Sequence, residues 1–143
     1  MPITADTDLR LRRERLVRAS MDAKSRHDVE ATLAVFADPA CDVVPLGVAI
    51  TGEVALAELF HQLFDAFPDL RLERLATYDG DNIVVVDTRM TGTQCGAWAG
   101  VPATGRPIDI RCACIYHFEE DRLVKETVFF DQATLLAQIG VGS

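Results

Sequence analysis

Glu126 is the side chain that sequence spacing places best for moving protons. Alternation along residues 122–130 puts Val124, Glu126, Val128 and Phe130 on one strand face, with Leu123, Lys125, Thr127 and Phe129 on the other. In residues 107–118 the same alternation groups Ile108, Ile110, Cys112, Cys114, Tyr116 and Phe118 against Asp109, Arg111, Ala113, Ile115 and His117. The even-numbered faces are the inner ones by composition. Glu126 is then a lone carboxyl group among apolar neighbours, where burial penalises the charged form and general acid/base chemistry beside a carbonyl becomes accessible. The alternative is a place at the sheet rim, solvated or paired with an arginine. Asp42, which shares parity with Val44 on a short strand, is the second catalytic candidate. Tyr116 could donate a hydrogen bond to a developing oxyanion, or simply pack in the core.

Other reactive residue types give weaker patterns. Of Cys41, Cys95, Cys112 and Cys114, the last two lie two residues apart on one strand face, about 6.5–7 Å from each other. That is wide for a disulfide. A zinc site needs about four ligands, and no His-rich or second Cys-x-Cys segment supplies them. Small thiols lining a pocket are the better account. His27, His61 and His117 stand in no nucleophile arrangement, and Ser20 reads as helix packing. There is no phosphate-cradling glycine loop, so neither metal nor cofactor is expected.

The elements that must hold these residues change character halfway along the chain. Thr7 and Asp8 can cap a first helix in which Leu9, Leu16, Val17, Ser20 and Met21 recur at helical spacing, with the arginines on the wet face. A second helix starts at His27 and Asp28, carries Val29, Leu33 and Phe36 on one side, and stops at Asp38-Pro39. Residues 41–46 and 48–51 read as short strands around Gly47. A third helix, 52–67, has the stripe Leu56, Leu59, Phe60, Leu63 and Phe67. Period two then takes over in strands 70–78, 83–92, 107–118 and 122–130, before Asp131 caps a closing helix, 132–139. Helices followed by an antiparallel meander define an α+β chain with helices on one face of the sheet and no parallel crossover units.

The 143 residues fit one domain, 1–143. With 22 acidic and 14 basic residues the net charge is -8, which disfavours nucleic acid and anionic lipid as partners. The first thirteen positions hold no apolar run suited to a signal sequence, and no run approaches membrane-spanning length. A cytoplasmic protein with free thiols is expected.

The segments FPDLRLE (67–73), MTGTQCGAWAGVPATGR (90–106), YHFEEDRLVKE (116–126) and TVFFDQATLLAQIG (127–140) resemble SnoaL-like polyketide cyclases, with a weaker match through VFADP (35–39) and the first helices. The pattern TGT-x-x-G-x-x-x-G-(I/V)-P-x-TG-(R/K) is the most specific part. The resemblance implies a nuclear-transport-factor-like cone, shared with ketosteroid isomerases and limonene epoxide hydrolases. In this cone a strongly curved antiparallel sheet and N-terminal helices surround an apolar pocket, and homodimers form through the outer sheet face. It also implies where catalytic groups would fall. The family's last-strand aspartate corresponds to Val128 and its histidine to Cys114. The ketosteroid isomerase base falls near Val44, its acidic partner on Cys114 and its tyrosine near Ser20. Asp131 matches the helix-capping aspartate. The expected function is therefore a cofactor-free cyclase or isomerase for an apolar polyketide-like molecule. Glu126 and Asp42 would supply acid/base chemistry, with Tyr116, Cys112, Cys114, Val128, Val44, Ser20, Phe60 and Trp98 around the substrate. The alternative is a binding or accessory protein that kept the pocket and lost the chemistry; epoxide opening is a weaker third, since its acidic pair is not evident.

Overall fold

The computed structural model describes residues 3–141, so the two terminal residues at each end of the expected 1–143 domain lie outside the described residues. Helix α1 (Ile3–Ser25) starts upstream of the expected Thr7–Asp8 cap. Asp8 is instead an intrahelical partner of Arg12, one turn on, an arrangement that supports the helix rather than starting it. Helix α2 (Val29–Ala34) is capped by the Asp28 carboxylate, which accepts from the Ala31 N–H at 2.9 Å. It ends before Val35, earlier than the sequence suggests, because Phe36 leaves the helix to bridge to Leu123.

Strand β1 (Ala40–Val43) is followed by a single 3-10 turn (Val44–Leu46), and β2 (Val48–Thr51) returns antiparallel to β1. Gly47 closes that turn at φ 67°, a conformation that glycine adopts without strain. Helix α3 (Glu53–Ala66) buries Leu56, Phe60 and Phe64, and Pro68 prevents its continuation. Strands β3 (Arg71–Asp79), β4 (Ile83–Thr93), β5 (Pro107–Glu119) and β6 (Arg122–Phe130) then form the meander, and Asp131 caps α4 (Gln132–Gln138) as expected.

All six strands form one sheet in the order β2-β1-β6-β5-β4-β3. One pairing departs from the antiparallel expectation: β1 runs parallel to β6, with Cys41 opposite Glu126 and Val43 opposite Val128. Irregularities in β3 at Arg74/Ala76 and in the β5–β6 pairing at His117/Phe118 interrupt the ladder, and such bulges increase twist and bend. The second also corrects the inner face of β6. Beyond it Phe118 opposes Leu123, so Leu123 points inward and is fully buried, contrary to its assignment by simple alternation. The inner face of β5 is as expected, with Ile108, Ile110, Cys112, Cys114, Tyr116 and Phe118 all buried. The outer face carries the Arg89–Asp109 and Arg111–Asp87 ion pairs. Helices α1 and α3 close the concave side, which gives an α+β cone with its core inside the curve.

Candidate active site

Inside the cone, facing strands stack their inner residues in rows. Cys41, Glu126 and Tyr116 form one row across β1, β6 and β5; Val43, Val128 and Cys114 form the next; Phe130 and Cys112 form the third. The cavity above these rows has a volume of about 90 Å³. Its wall continues through Phe60, Leu63, Met90 and Trp98, and is almost entirely apolar.

Glu126 lies where its parity places it, at 1% exposure, but it is not unpaired. Lys24 comes down from the last turn of α1, 5% exposed, and its Nζ lies 2.7 Å from both carboxylate oxygens. Nζ also lies 3.4 Å from the Tyr116 hydroxyl, and 5.7 Å from the centre of the Phe60 ring. Three N–H groups thus have three acceptors, and the C-terminal turn of a helix favours a cation. Burial alone would lower the proton affinity of Lys24, but the adjacent Glu126 carboxylate outweighs it and holds the ammonium well above the ordinary lysine value. Lys24 is therefore held as an ammonium against Glu126 although both are buried.

Behind it, Ser20 Oγ lies 3.2 Å from the Tyr116 hydroxyl, and that hydroxyl donates to Met21 Sδ at 3.6 Å. Burial, reinforced by the Glu126 charge, raises the Tyr116 phenol, which stays protonated as a donor. The same causes push the Cys114 thiol up to about 12 and raise Cys41. Burial, then the neighbouring Cys114, takes Cys112 to about 12. These thiols are inert, small, soft wall groups at neutral pH. Among the described residues no cluster of three or more His, Cys, Asp or Glu side chains could hold a metal ion.

The remaining site expectations divide cleanly. Phe60, Trp98, Cys112, Cys114 and Val128 line the cavity with Glu126. Tyr116 and Ser20 are buried behind the ion pair and are not among the lining side chains. Asp42 and Val44 do not reach the site. Along β1 the odd residues, Cys41 and Val43, face inward, so Asp42 points to the other side and pairs with Lys125 at 3.0 Å. Val44 has left the strand for the 3-10 turn and is 46% exposed. Lys24 was missed by sequence reasoning, although a signal existed. It lies one helical turn beyond Ser20 and in line with Val17 and Met21, on the stripe that faces the sheet. The sequence reading places the arginines of α1 on the wet face and assigns Lys24 to neither side. Arg13 departs from the wet-face expectation: it is buried, donating to the carbonyls of Glu120 and Asp81 at 2.8 and 2.7 Å.

An α+β cone whose pocket is walled by the inner faces of the last strands is the ketosteroid isomerase-like fold, and comparison with solved structures agrees. The chain is similar to a proposed polyketide cyclase of Xanthomonas campestris (22% identity, TM-score 0.83, covering 92% of this chain and 99% of that one). It is also similar to an NTF2-like protein of unknown function from Burkholderia pseudomallei (21%, TM-score 0.76, 91% and 98%). A third is a Catenulispora acidiphila protein with a ketosteroid isomerase-like fold (16%, TM-score 0.75, 89% and 93%). The family model of SnoaL-like polyketide cyclases matches residues 14–139, and the chain belongs to that family. No curated protein matches the sequence. No helix among the described residues is long and apolar enough to cross a membrane.

Proposed function

We propose that the chain is a cyclase- or isomerase-type enzyme for an apolar, ketone-bearing small molecule, with Glu126 as proton carrier and Lys24 as the cation facing the developing oxyanion. The observation that carries this reading is the buried ammonium–carboxylate pair at the wall of an otherwise apolar cavity. A substrate carbonyl in the cavity would accept from Lys24 once the ammonium turns an N–H from Glu126 toward the cavity, which loosens its hold on the carboxylate. Glu126 then accepts a proton from the carbon next to that carbonyl. The C–H electron pair becomes the enolate double bond, and the negative oxygen rests against Lys24, where low dielectric strengthens the attraction. In an isomerisation Glu126 returns the proton to another carbon. In a cyclisation the enolate carbon attacks a second carbonyl of the same chain, and Glu126 protonates the new alkoxide. Confinement of a flexible chain lowers the entropic barrier to closure. No cofactor enters these steps.

A second reading is favoured by the residues at the family's usual catalytic positions. Val128 and Cys114 stand opposite each other across β6 and β5 and carry no acid/base function near neutral pH. A pocket that binds without turnover would look the same there. Glu126→Gln separates the two: the enzyme reading requires turnover of a cyclic 1,3-diketone or related polyketide mimic to be lost while calorimetric binding persists. Turnover retained in the variant removes Glu126 from the mechanism, and binding without turnover in the wild type favours the second reading. The reading extends to a homodimer through the outer sheet face, where Tyr78 and Phe129 are exposed.

A further inference from the structure

The connection between β4 and β5, residues 94–106, is built to hold one side chain in place. Gln94, fully buried, staples it internally: Nε2 donates to the Val101 carbonyl at 3.0 Å, and Oε1 accepts from the Thr104 hydroxyl at 2.7 Å. Its start is pinned to α3, where the Cys95 and Gly96 N–H groups both donate to the Ala66 carbonyl. A Cβ at Gly96 would come within 2.9 Å of the Asp65 carbonyl oxygen, so only glycine allows this approach. At the tip Trp98 and Val101 exchange backbone hydrogen bonds across Ala99 and Gly100, both at positive φ. The product is a Trp98 indole held edge-on to Phe67, with ring centres 5.9 Å apart and 9% exposure, in the wall of the cavity.

This anchoring leaves the indole Nε1–H buried with no hydrogen-bond partner. Buried donors are rarely left unpaired in a native fold, and this one belongs to a side chain that lines the cavity, where an entering oxygen acceptor would satisfy it after a small turn of the indole. Trp98 and Leu59 also border the surface groove formed with Val48 and Ile50, so together they separate that groove from the cavity.

We propose that Trp98 makes the second polar contact of the ligand, donating its indole N–H to a carbonyl or hydroxyl oxygen at the end away from Lys24 and Glu126. The assignment rests on the reading of the cavity as the substrate site. The Glu126–Tyr116 row and the Cys112–Phe130 row are four residues apart along β5, a span of about 13 Å. The loop carrying Trp98 joins the sheet at the Cys112 end. The substrate class is therefore a slender apolar molecule with an oxygen acceptor near each end. Indole N–H only donates, so an ammonium or other donor-only group is rejected at that end.

The chain has one tryptophan, so its indole N–H gives one resonance in a nitrogen–proton correlation spectrum. The wild-type protein is titrated with decalin-2,6-dione, which has a carbonyl at each end, and with 2-decalone, which has one. The dione is expected to bind more tightly and to move the indole proton downfield. Trp98→Phe is expected to weaken the dione about tenfold relative to 2-decalone. An indole resonance unmoved at saturation with the dione overturns the assignment, as does equal weakening of both ligands in the variant. Failure of the wild type to bind either compound is a different outcome: it removes the cavity reading itself, and this assignment with it.

Discussion

Replacing Lys24 with methionine keeps most of the side-chain volume and removes the cation opposite a carboxylate that is 1% exposed. Leaving one partner of a buried ion pair uncompensated costs about 3–5 kcal/mol, whereas replacing both by apolar groups is neutral or stabilising by about 1–4 kcal/mol. For a chain of this length each kcal/mol is about 4 °C in Tm, so Lys24→Met should melt roughly 12–20 °C below wild type. The double variant Lys24→Met/Glu126→Leu should melt at or above the wild-type temperature. Urea unfolding followed by circular dichroism, with equal slopes for all variants, gives the free energies directly. The alkaline limb provides a second check. Because folded Lys24 is held above its ordinary value of 10.5, the contribution of the pair is complete below that pH and is lost as pH rises through the folded value. The single and double variants lack this alkaline component. A Lys24→Met protein within about 1 kcal/mol of wild type, or a double variant as unstable as the single one, would refute the claim that the pair is desolvated and coupled.

Two further outcomes follow from the wall and the loop. With Cys112 and Cys114 pushed up to about 12 and buried, and Cys95 exposed, iodoacetamide at pH 8 should modify Cys95 alone in the native protein and all four thiols in urea. Mass spectrometry counts the adducts, and rapid native labelling of Cys114 would contradict the closed pocket. Gly96→Ala should destabilise the chain by about 1–3 kcal/mol through the clash with the α3 carbonyl, and should loosen the loop enough to red-shift the fluorescence of Trp98. An unchanged emission maximum and stability would show that the close approach does not hold Trp98.

Local alternation was enough to place the inner wall, because Cys112, Cys114, Tyr116 and Glu126 lie on uninterrupted stretches of β5 and β6. It failed at Leu123, where the irregularity at His117/Phe118 shifts the register, and nothing in the residue types there announces the shift. It failed again at Asp42. The short β1 strand is positioned by a parallel pairing with β6, which is distant in sequence, and its hydrophobic residues occur at both parities. Lys24 illustrates a different limit. Helical spacing alone puts it on the buried stripe, but a cation is placed there only once the carboxylate that compensates it is known. The two charged groups become legible as a pair, not singly.

The most direct test of the proposed chemistry is solvent deuterium incorporation at the carbon next to the carbonyl of decalin-2,6-dione, followed by proton NMR in heavy water. Wild type should accelerate exchange in a manner that saturates with ligand. Lys24→Met/Glu126→Leu, folded and retaining the apolar cavity, should leave only the buffer rate. Equal exchange by both proteins, or none above buffer by a wild type shown to bind the dione, would contradict the assignment of proton transfer to the Lys24–Glu126 pair.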